Sequence, residues 1–526
     1  MNVRLLRHAQ GAFLIAALYL STTIARAAAD EKARHVVLVV WDGMRPDFVT
    51  AEDAPNLTQL AQSGVRFRKH HSVYPSLTSV NAAALATGVY PNRSGMIANW
   101  AFRPEISGGK LARMDAPETI RKGDDVSGGK YLAAPTIAEL VRARGGRVEI
   151  TGTKTASLLH DRRNTVAARA VGGSVTLFAG TTLPEAALAP IVKLLGPFPT
   201  ADEIPNTAED AWTTRALTEV LWSEGVPEFS LLWMSDPDRS QHATAPGTND
   251  SLGAIKSVDT DLGVVLRALE AKGVRAQTDV LLASDHGFST IAHAVDVAGL
   301  LREDGFNLAD ESVSTLARGQ VRVAGNGGLN LYYVGEHDAA TIARLVETLQ
   351  QTDFTSVIFT REPIAGTFPM SQAHLKINPG PDVIATFQWS DQRSANGVAG
   401  MIDANGSGDT NKGTHGTLSP FDLHNTFIAA GPDFCRGMND DLPTANVDVA
   451  ATIMSILGLN PPEPLDGRVV KEAMVGSDTK EPAVETKTIE ASRQLPTGTW
   501  HQSLQISTLG TSSYIDQGHG AFEAKH

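Results

Sequence analysis

Cysteine is all but missing from the 526-residue chain, where Cys435 stands alone. A single thiol closes no intrachain disulfide and builds no thiolate zinc cluster. Any tightly held metal must therefore rest on His, Asp, Glu or hydroxyl ligands. Within Gly431-Pro432-Asp433-Phe434-Cys435 the thiol reads as a packing residue. Basic charge is short as well: 45 Lys+Arg face 58 Asp+Glu, for a formal net charge of −13. That balance argues against duplex nucleic acid as a partner, which needs a concentrated basic surface. No apolar run reaches the ~20 residues needed to span a bilayer. Apolar residues make up 42% and charged residues 20%, as in an ordinary globular chain. Disordered, collagen-like and multi-span membrane classes are thereby excluded. At roughly 150 residues per domain, the length allows two to four domains or one large domain with insertions.

What is present begins with a targeting pattern. Arg4 and Arg7 precede an apolar run at 11–20, and Ala25-Arg26-Ala27 supplies small residues for cleavage. This is the layout of a secretory signal over 1–27. It predicts an exported protein, in a bacterial periplasm, without stable membrane insertion. Strand and helix patterns then alternate, which predicts an α/β fold with a mostly parallel central sheet flanked by helices. The segment 35–41 (HVVLVVW) is a continuous apolar run of the kind buried on both faces of a sheet. Shorter runs at 147–151, 229–234 and 279–283 repeat it, with helical spacing at 55–64, 134–144 and 252–272. A catalytic domain is expected over 28–475, with an insertion lobe at about 290–410. Residues 476–526 read as a linker and a C-terminal β-hairpin extension around Leu509-Gly510-Thr511.

Three of the strands end in acidic residues and turn chemistry: Asp42-Gly43, Ser235-Asp236-Pro237-Asp238 and Ser284-Asp285-His286-Gly287. Aspartate is a common turn residue, so one such end would say little. Three of them, two with histidines nearby, mark the carboxyl edge where α/β sheets gather ligands. Adding His242, and His415 in Gly413-Thr414-His415-Gly416, gives three carboxylates and three imidazoles. Imidazole with carboxylate and no thiolate suits zinc with an open coordination position. Six ligands exceed one four-coordinate ion and suit two ions sharing a site. Such a pair stabilises the entering and leaving oxygens of a displacement at phosphorus. The stretch Tyr74-Pro75-Ser76-Leu77-Thr78-Ser79-Val80-Asn81 offers hydroxyl nucleophiles beside a helix start, whose partial positive charge favours a phosphoryl group. His70-His71 reads as a surface pair, and His424 as structural.

Trp41-Asp42-Gly43-Met44-Arg45-Pro46-Asp47, the Pro75–Asn81 block and Thr87-Gly88-Val89-Tyr90-Pro91-Asn92-Arg93-Ser94-Gly95 together resemble the alkaline phosphatase superfamily. The similar branch is the nucleotide pyrophosphatase/phosphodiesterase (type I phosphodiesterase) group. Pro237-Asp238-Arg239-Ser240-Gln241-His242, Ser284–Gly287 and Gly413–Gly416 follow in that family's order. Over roughly 35–470, the resemblance implies an alkaline-phosphatase-like fold, two Zn2+ ions and a small phosphoester or phosphonate substrate. It implies one ion on Asp238, His242 and His415, and the other on Asp42, Asp285, His286 and the Thr78 hydroxyl. Thr78 would be the nucleophile, passing through a phosphothreonine intermediate, with Asn81 donating to a non-bridging oxygen. Two departures bear on substrate. Ser79 stands where nucleotide-cleaving relatives commonly carry an aromatic, and so offers no stacking face. Lys154, in Thr151-Gly152-Thr153-Lys154-Thr155-Ala156, lacks the second cation of the Lys-x-Arg or Lys-x-Lys pair found in monoesterase and phosphonoacetate hydrolase relatives. Phosphodiester or pyrophosphate cleavage is the expected activity; a phosphomonoesterase or phosphonate hydrolase is the alternative, with Lys154 as an oxyanion contact. A sulfatase is disfavoured, because Cys435-Arg436-Gly437-Met438 lacks the required context.

Overall fold

A computed structural model describes residues 32–162, 173–200, 202–406, 410–477 and 483–525. The expected signal segment at 1–27 lies outside them, as do residues 478–482 of the expected linker.

Among the described residues, nine strands build the central sheet. In chain order they are β1 (His35–Trp41), β2 (Val65–His71), β3 (Val148–Gly152), β4 (Val175–Phe178), β5 (Thr181–Leu183), β6 (Phe229–Met234), β7 (Thr278–Ala283), β8 (Phe427–Ala430) and β9 (Met438–Ala445). Their spatial order is β9-β2-β8-β7-β1-β6-β3-β4-β5. The inner strands β7, β1, β6, β3 and β4 run parallel. Strand β8 is antiparallel to both its neighbours, and β5 is antiparallel to β4. The expected fold class is therefore the observed one.

Strand β1 shows why its sequence is apolar throughout. Val36, Leu38 and Val40 enter the core on one face, while Val37, Val39 and Trp41 enter a separate core on the other. Side chains alternate across a strand, so a strand covered twice needs apolar residues at every position. Helices α1 (Pro55–Ser63) and α4 (Asn249–Ala271) cover the second face, through Leu57, Leu60, Ile255, Val258 and Leu262. Helix α2 (Thr78–Thr87) lies on the first face, against α5 (Asn446–Ile456). All ten residues of α2 are buried, which explains its small, Ala-rich composition. It closes at Gly88, whose φ of +72° is the left-handed conformation of a helix C-cap. Helix α3 (Asp238–Thr244) follows β6 directly.

Residues 289–414, where the insertion lobe was expected, contribute two smaller sheets. One has five strands and is backed by the helix Ala339–Gln350; the other has four and includes Ser289–Val295 and Gly413–Thr414. The C-terminal extension is larger than a hairpin. The hairpin expected at 500–506 and 512–516 is longer, Gly498–Leu509 and Ser512–Ala524, and is joined by Val484–Leu495 into a three-stranded antiparallel sheet. Only the start of that strand, Val484 and Glu485, overlaps the stretch read as linker, and the rest is mostly polar and exposed along 486–490. Trp500 of this sheet is buried in the core of the five-stranded sheet and donates to the Gly366 carbonyl at 2.9 Å. Among the described residues, no helix is long and apolar enough to cross a membrane.

Candidate metal centre and active site

The residues singled out from the sequence converge at the carboxyl edge of the parallel strands. Asp42 follows β1, Lys154 follows β3, Asp238 opens α3 beyond β6, and Asp285-His286 follow β7. Neighbouring parallel strands end side by side, so residues separated by two hundred positions become neighbours. Gly43 makes this closeness possible. Its φ is +72°, and a Cβ there would stand 3.0 Å from the Asp238 Cβ. Its N–H donates to Asp285 Oδ1 at 2.9 Å, and the Asp238 N–H donates to the Asp42 carbonyl at 2.9 Å.

Each imidazole is aimed in the same way. His242 Nδ1 donates to the Gly413 carbonyl at 3.0 Å, His286 Nδ1 to the Gly287 carbonyl at 2.9 Å, and His415 Nδ1 to the Ser76 carbonyl at 2.7 Å. A carbonyl oxygen only accepts, so these contacts place a proton on Nδ1, and a neutral ring then presents its Nε2 as a lone pair. His286 Nε2 lies 3.2 Å from Asp285 Oδ2, 3.7 Å from Asp42 Oδ1 and 4.0 Å from Asp238 Oδ1. His415 Nε2 is 3.6 Å, and His242 Nε2 3.3 Å, from Asp238 Oδ1. Two overlapping groups of ligating atoms result: Asp42, Asp285 and His286, and Asp238, His286 and His415. The Thr78 Oγ1 is 3.2 Å from His286 Nε2, at the first residue of α2.

Buried carboxylate oxygens normally find donors. Here Asp42 Oδ1, Asp238 Oδ1 and Asp285 Oδ2 are buried without a hydrogen-bond donor, each turned toward the Nε2 atoms. Three carboxylates and three ring lone pairs around one space call for positive charge. The donor set is of the kind that could hold divalent cations, with Asp42, Asp285 and His286 in one group, Asp238, His286 and His415 in the other, and His242 beside Asp238.

Electrostatics reflect the crowding. Asp42 is pushed well above the usual carboxylate range, by burial first and then by Asp238 and Asp285. Burial also works to raise Asp238, but Lys154, His242 and His415 outweigh it and hold the group well below that range. Burial and the neighbouring His286 keep His415 well below the ordinary imidazole value. Lys154 spans the two sides, with Nζ 2.9 Å from Asp42 Oδ2 and 2.5 Å from Asp238 Oδ2. Burial opposes its charge, yet Asp238 and Asp42 hold the ammonium protonated above its ordinary value.

Asn81 departs from its expected role. Its amide donates to the carbonyls of Val73, Pro75 and Leu77, and its Oδ1 accepts from the Val73 N–H and Asn446 Nδ2. With both ends committed, it fastens the loop that leads into Thr78 and has no donor to offer a substrate. Helical side chains lean toward the N-terminus, which turns Asn81 back onto the loop. Sequence reasoning missed another asparagine at this loop: the half-buried Asn99, whose Oδ1 accepts from the Ser79 N–H at 2.8 Å. Its amide NH2 has no partner among the described residues. No spacing rule links Asn99 to Thr78; only the fold does. Asn446 was missed likewise; its NH2 joins Asn81 Oδ1 to the Asp285 carbonyl, at 2.9 Å each. His70 and His71, read as a surface pair, are both buried at the end of β2, because β9 and the C-terminal sheet cover them.

The model of the type I phosphodiesterase / nucleotide pyrophosphatase family matches residues 36–396. The chain belongs to this family. Family member 7 of the ectonucleotide pyrophosphatase/phosphodiesterases from Rattus norvegicus is 21% identical over 443 residues, covering 83% of this chain and 86% of the relative. A venom phosphodiesterase of Macrovipera lebetinus is 22% identical over 264 residues, 49% of this chain, and the chain spans 26% of its length. The solved structure of murine ectonucleotide pyrophosphatase/phosphodiesterase 5 superposes with a TM-score of 0.60 at 16% identity, covering 84% of this chain and all of that one. An inactive threonine-to-alanine variant of that mouse protein, in complex with AMP, superposes equally well. In this phosphodiesterase-family chain, the alkaline-phosphatase-like fold and the branch expected from the motifs are both those found.

Proposed function

We propose that the protein is an exported two-zinc hydrolase that cleaves phosphodiester or pyrophosphate bonds through a phosphothreonine on Thr78. The observation that carries this reading is the set of three inward Nε2 lone pairs and three donor-less carboxylate oxygens around the Thr78 hydroxyl. The resident ions would be held by Asp42, Asp285, His286 and Thr78, and by Asp238, His242 and His415. When bound, they lower the pKa of a hydroxyl and neutralise charge on phosphoryl oxygens.

The chain's own groups do the rest. Thr78 gives up its hydroxyl proton and Oγ1 attacks phosphorus, forming one P–O bond as the P–O bond to the leaving alcohol or phosphate breaks and that oxygen takes up a proton; water then cleaves the Thr78–phosphorus ester and restores the hydroxyl. The amino end of α2 faces the incoming phosphoryl group with partial positive charge. Asn99 donates its NH2 to a non-bridging oxygen, in the role expected of Asn81. Asn81 and Asn446 hold the loop so that the hydroxyl stays in place. Trp100, 42% exposed beside Asn99, offers the stacking face that Ser79 lacks. Export rests on the signal pattern at 1–27.

A monoesterase reading is favoured by one observation: the Lys154 ammonium reaches into the cluster itself. Rates on bis-p-nitrophenyl phosphate and p-nitrophenyl phosphate separate the two. The diester is expected to turn over faster, chelator to abolish turnover, and Thr78→Ala to lower kcat by roughly a thousandfold or more. Undiminished turnover by Thr78→Ala would remove the nucleophile. A monoester preference that collapses in Lys154→Ala would establish the second reading.

A further inference from the structure

His71, His424 and Asp516 take no part in the chemistry above, yet their ligating atoms lie within 4.8 Å of one another. They come from three remote segments: the last residue of β2, the turn before β8 and the final C-terminal strand. An isolated antiparallel bridge pairs His71 with His424. That makes the two cross-strand neighbours, close enough for their rings to share an ion. The ring centroids stand 4.3 Å apart at 46°.

Both nitrogens of the buried His71 ring face acceptors. Nδ1 is 3.0 Å from the Thr444 carbonyl, and Nε2 is 3.0 Å from Asp516 Oδ1. The carbonyl only accepts, so Nδ1 carries the proton. A neutral ring then turns the Nε2 lone pair on a carboxylate. Something positive must stand there, either a second proton or a metal ion. Three features favour the ion. Anchoring of Nδ1 on a main-chain carbonyl is how all three histidines of the catalytic cluster are aimed, and it is how metal-ligating imidazoles are generally oriented. The other oxygen of Asp516 accepts from the Ser507 hydroxyl at 2.8 Å, which fixes the carboxylate. His424 supplies a further ring within reach, for which a bare ion pair has no use.

The geometry points to a third metal site, in which His71 Nε2, Asp516 Oδ1 and a ring nitrogen of His424 hold a zinc ion with water as fourth ligand. Two imidazoles and one carboxylate suit zinc better than the hard cations calcium and magnesium, which prefer oxygen. The ion fastens the C-terminal sheet to the segment that runs from β2 into the Thr78 loop. It is a structural clasp, apart from the proposed catalytic pair.

Zinc content per chain tests it, on the full-length protein stripped with chelator, reloaded with Zn2+ and freed of excess by gel filtration. His424→Ala and Asp516→Asn are each expected to carry one equivalent less than the wild type, while still hydrolysing bis-p-nitrophenyl phosphate. Equal zinc in the wild type and both variants would overturn the site and leave His71–Asp516 a plain ion pair. Cobalt titration of the wild type supplies a measurement free of any folding defect: visible absorption saturating at three equivalents supports the site, and saturation at two overturns it. One equivalent in the wild type and none in the variants would support the clasp while sinking the catalytic pair.

Discussion

Replacing Lys154 by methionine keeps an unbranched stem and removes the ammonium that touches Asp42 at 2.9 Å and Asp238 at 2.5 Å. Both carboxylates are buried, and the lysine side chain is 22% exposed, so solvent screens the contacts only modestly. Removing one partner of a buried ion pair costs about 3–5 kcal/mol. Two charge-assisted hydrogen bonds at about 1.5–3 kcal/mol each bracket the same range. Protein stripped of divalent ions should therefore lose about 3–5 kcal/mol of unfolding free energy on Lys154→Met. Zinc brings its own positive charge to the same carboxylates, so the loss should shrink when the metal is restored. Urea denaturation with and without chelator measures both quantities, provided the m-value is unchanged. A loss below about 1 kcal/mol in the stripped protein, or an equal loss with and without zinc, would refute the view that Lys154 balances the cluster's charge.

Other substitutions separate binding from support. Asn99→Ala should lower kcat/KM on bis-p-nitrophenyl phosphate by about 10- to 150-fold, the worth of one charge-assisted hydrogen bond, with the unfolding midpoint nearly unmoved. Asn81→Ala should instead cost about 2–4 kcal/mol of stability, since it strips partners from several buried loop groups at once; a normal urea midpoint would contradict that. Glu149 in β3 is pushed up by burial to about 8 in the folded protein, against an ordinary value of 4.5. Between those values only the folded state holds the proton, so stability should fall by about 1.4 kcal/mol per pH unit from this group as pH rises from 5 to 8. Glu149→Gln should remove that slope, and wild-type and variant curves that stay parallel would exclude the protonated carboxyl.

Much of the candidate site could be read from the chain because its carboxylates sit at strand ends, where apolar runs stop abruptly. Asp42, Asp238 and Asp285 each follow such a run, and β1 and β6 have the bounds expected from hydrophobicity alone. Residues whose roles depend on packing were not legible. Asn81 lies in the right block, yet the lean of helical side chains turns it to the loop. Asn99 reaches Ser79 from a segment with no periodic mark, and Asn446 comes from the first residue of α5, remote in the chain from Asn81. Burial of His70-His71 depends on β9 and on a C-terminal sheet whose first strand alternates as weakly as a linker.

The seat of Trp500 has a bearing on how the chain can be divided. The indole comes from the last thirty residues, yet it is buried in the same core cluster as Leu349, Ile358 and Val383, and donates to the Gly366 carbonyl. A graft of residues 289–414 into another scaffold would carry a hole the size of an indole, at a cost of about 3–5 kcal/mol. Contiguity along the polypeptide is thus a poor guide to which pieces could be exchanged between relatives; the lobe and the tail must travel together or be redesigned at their shared seam.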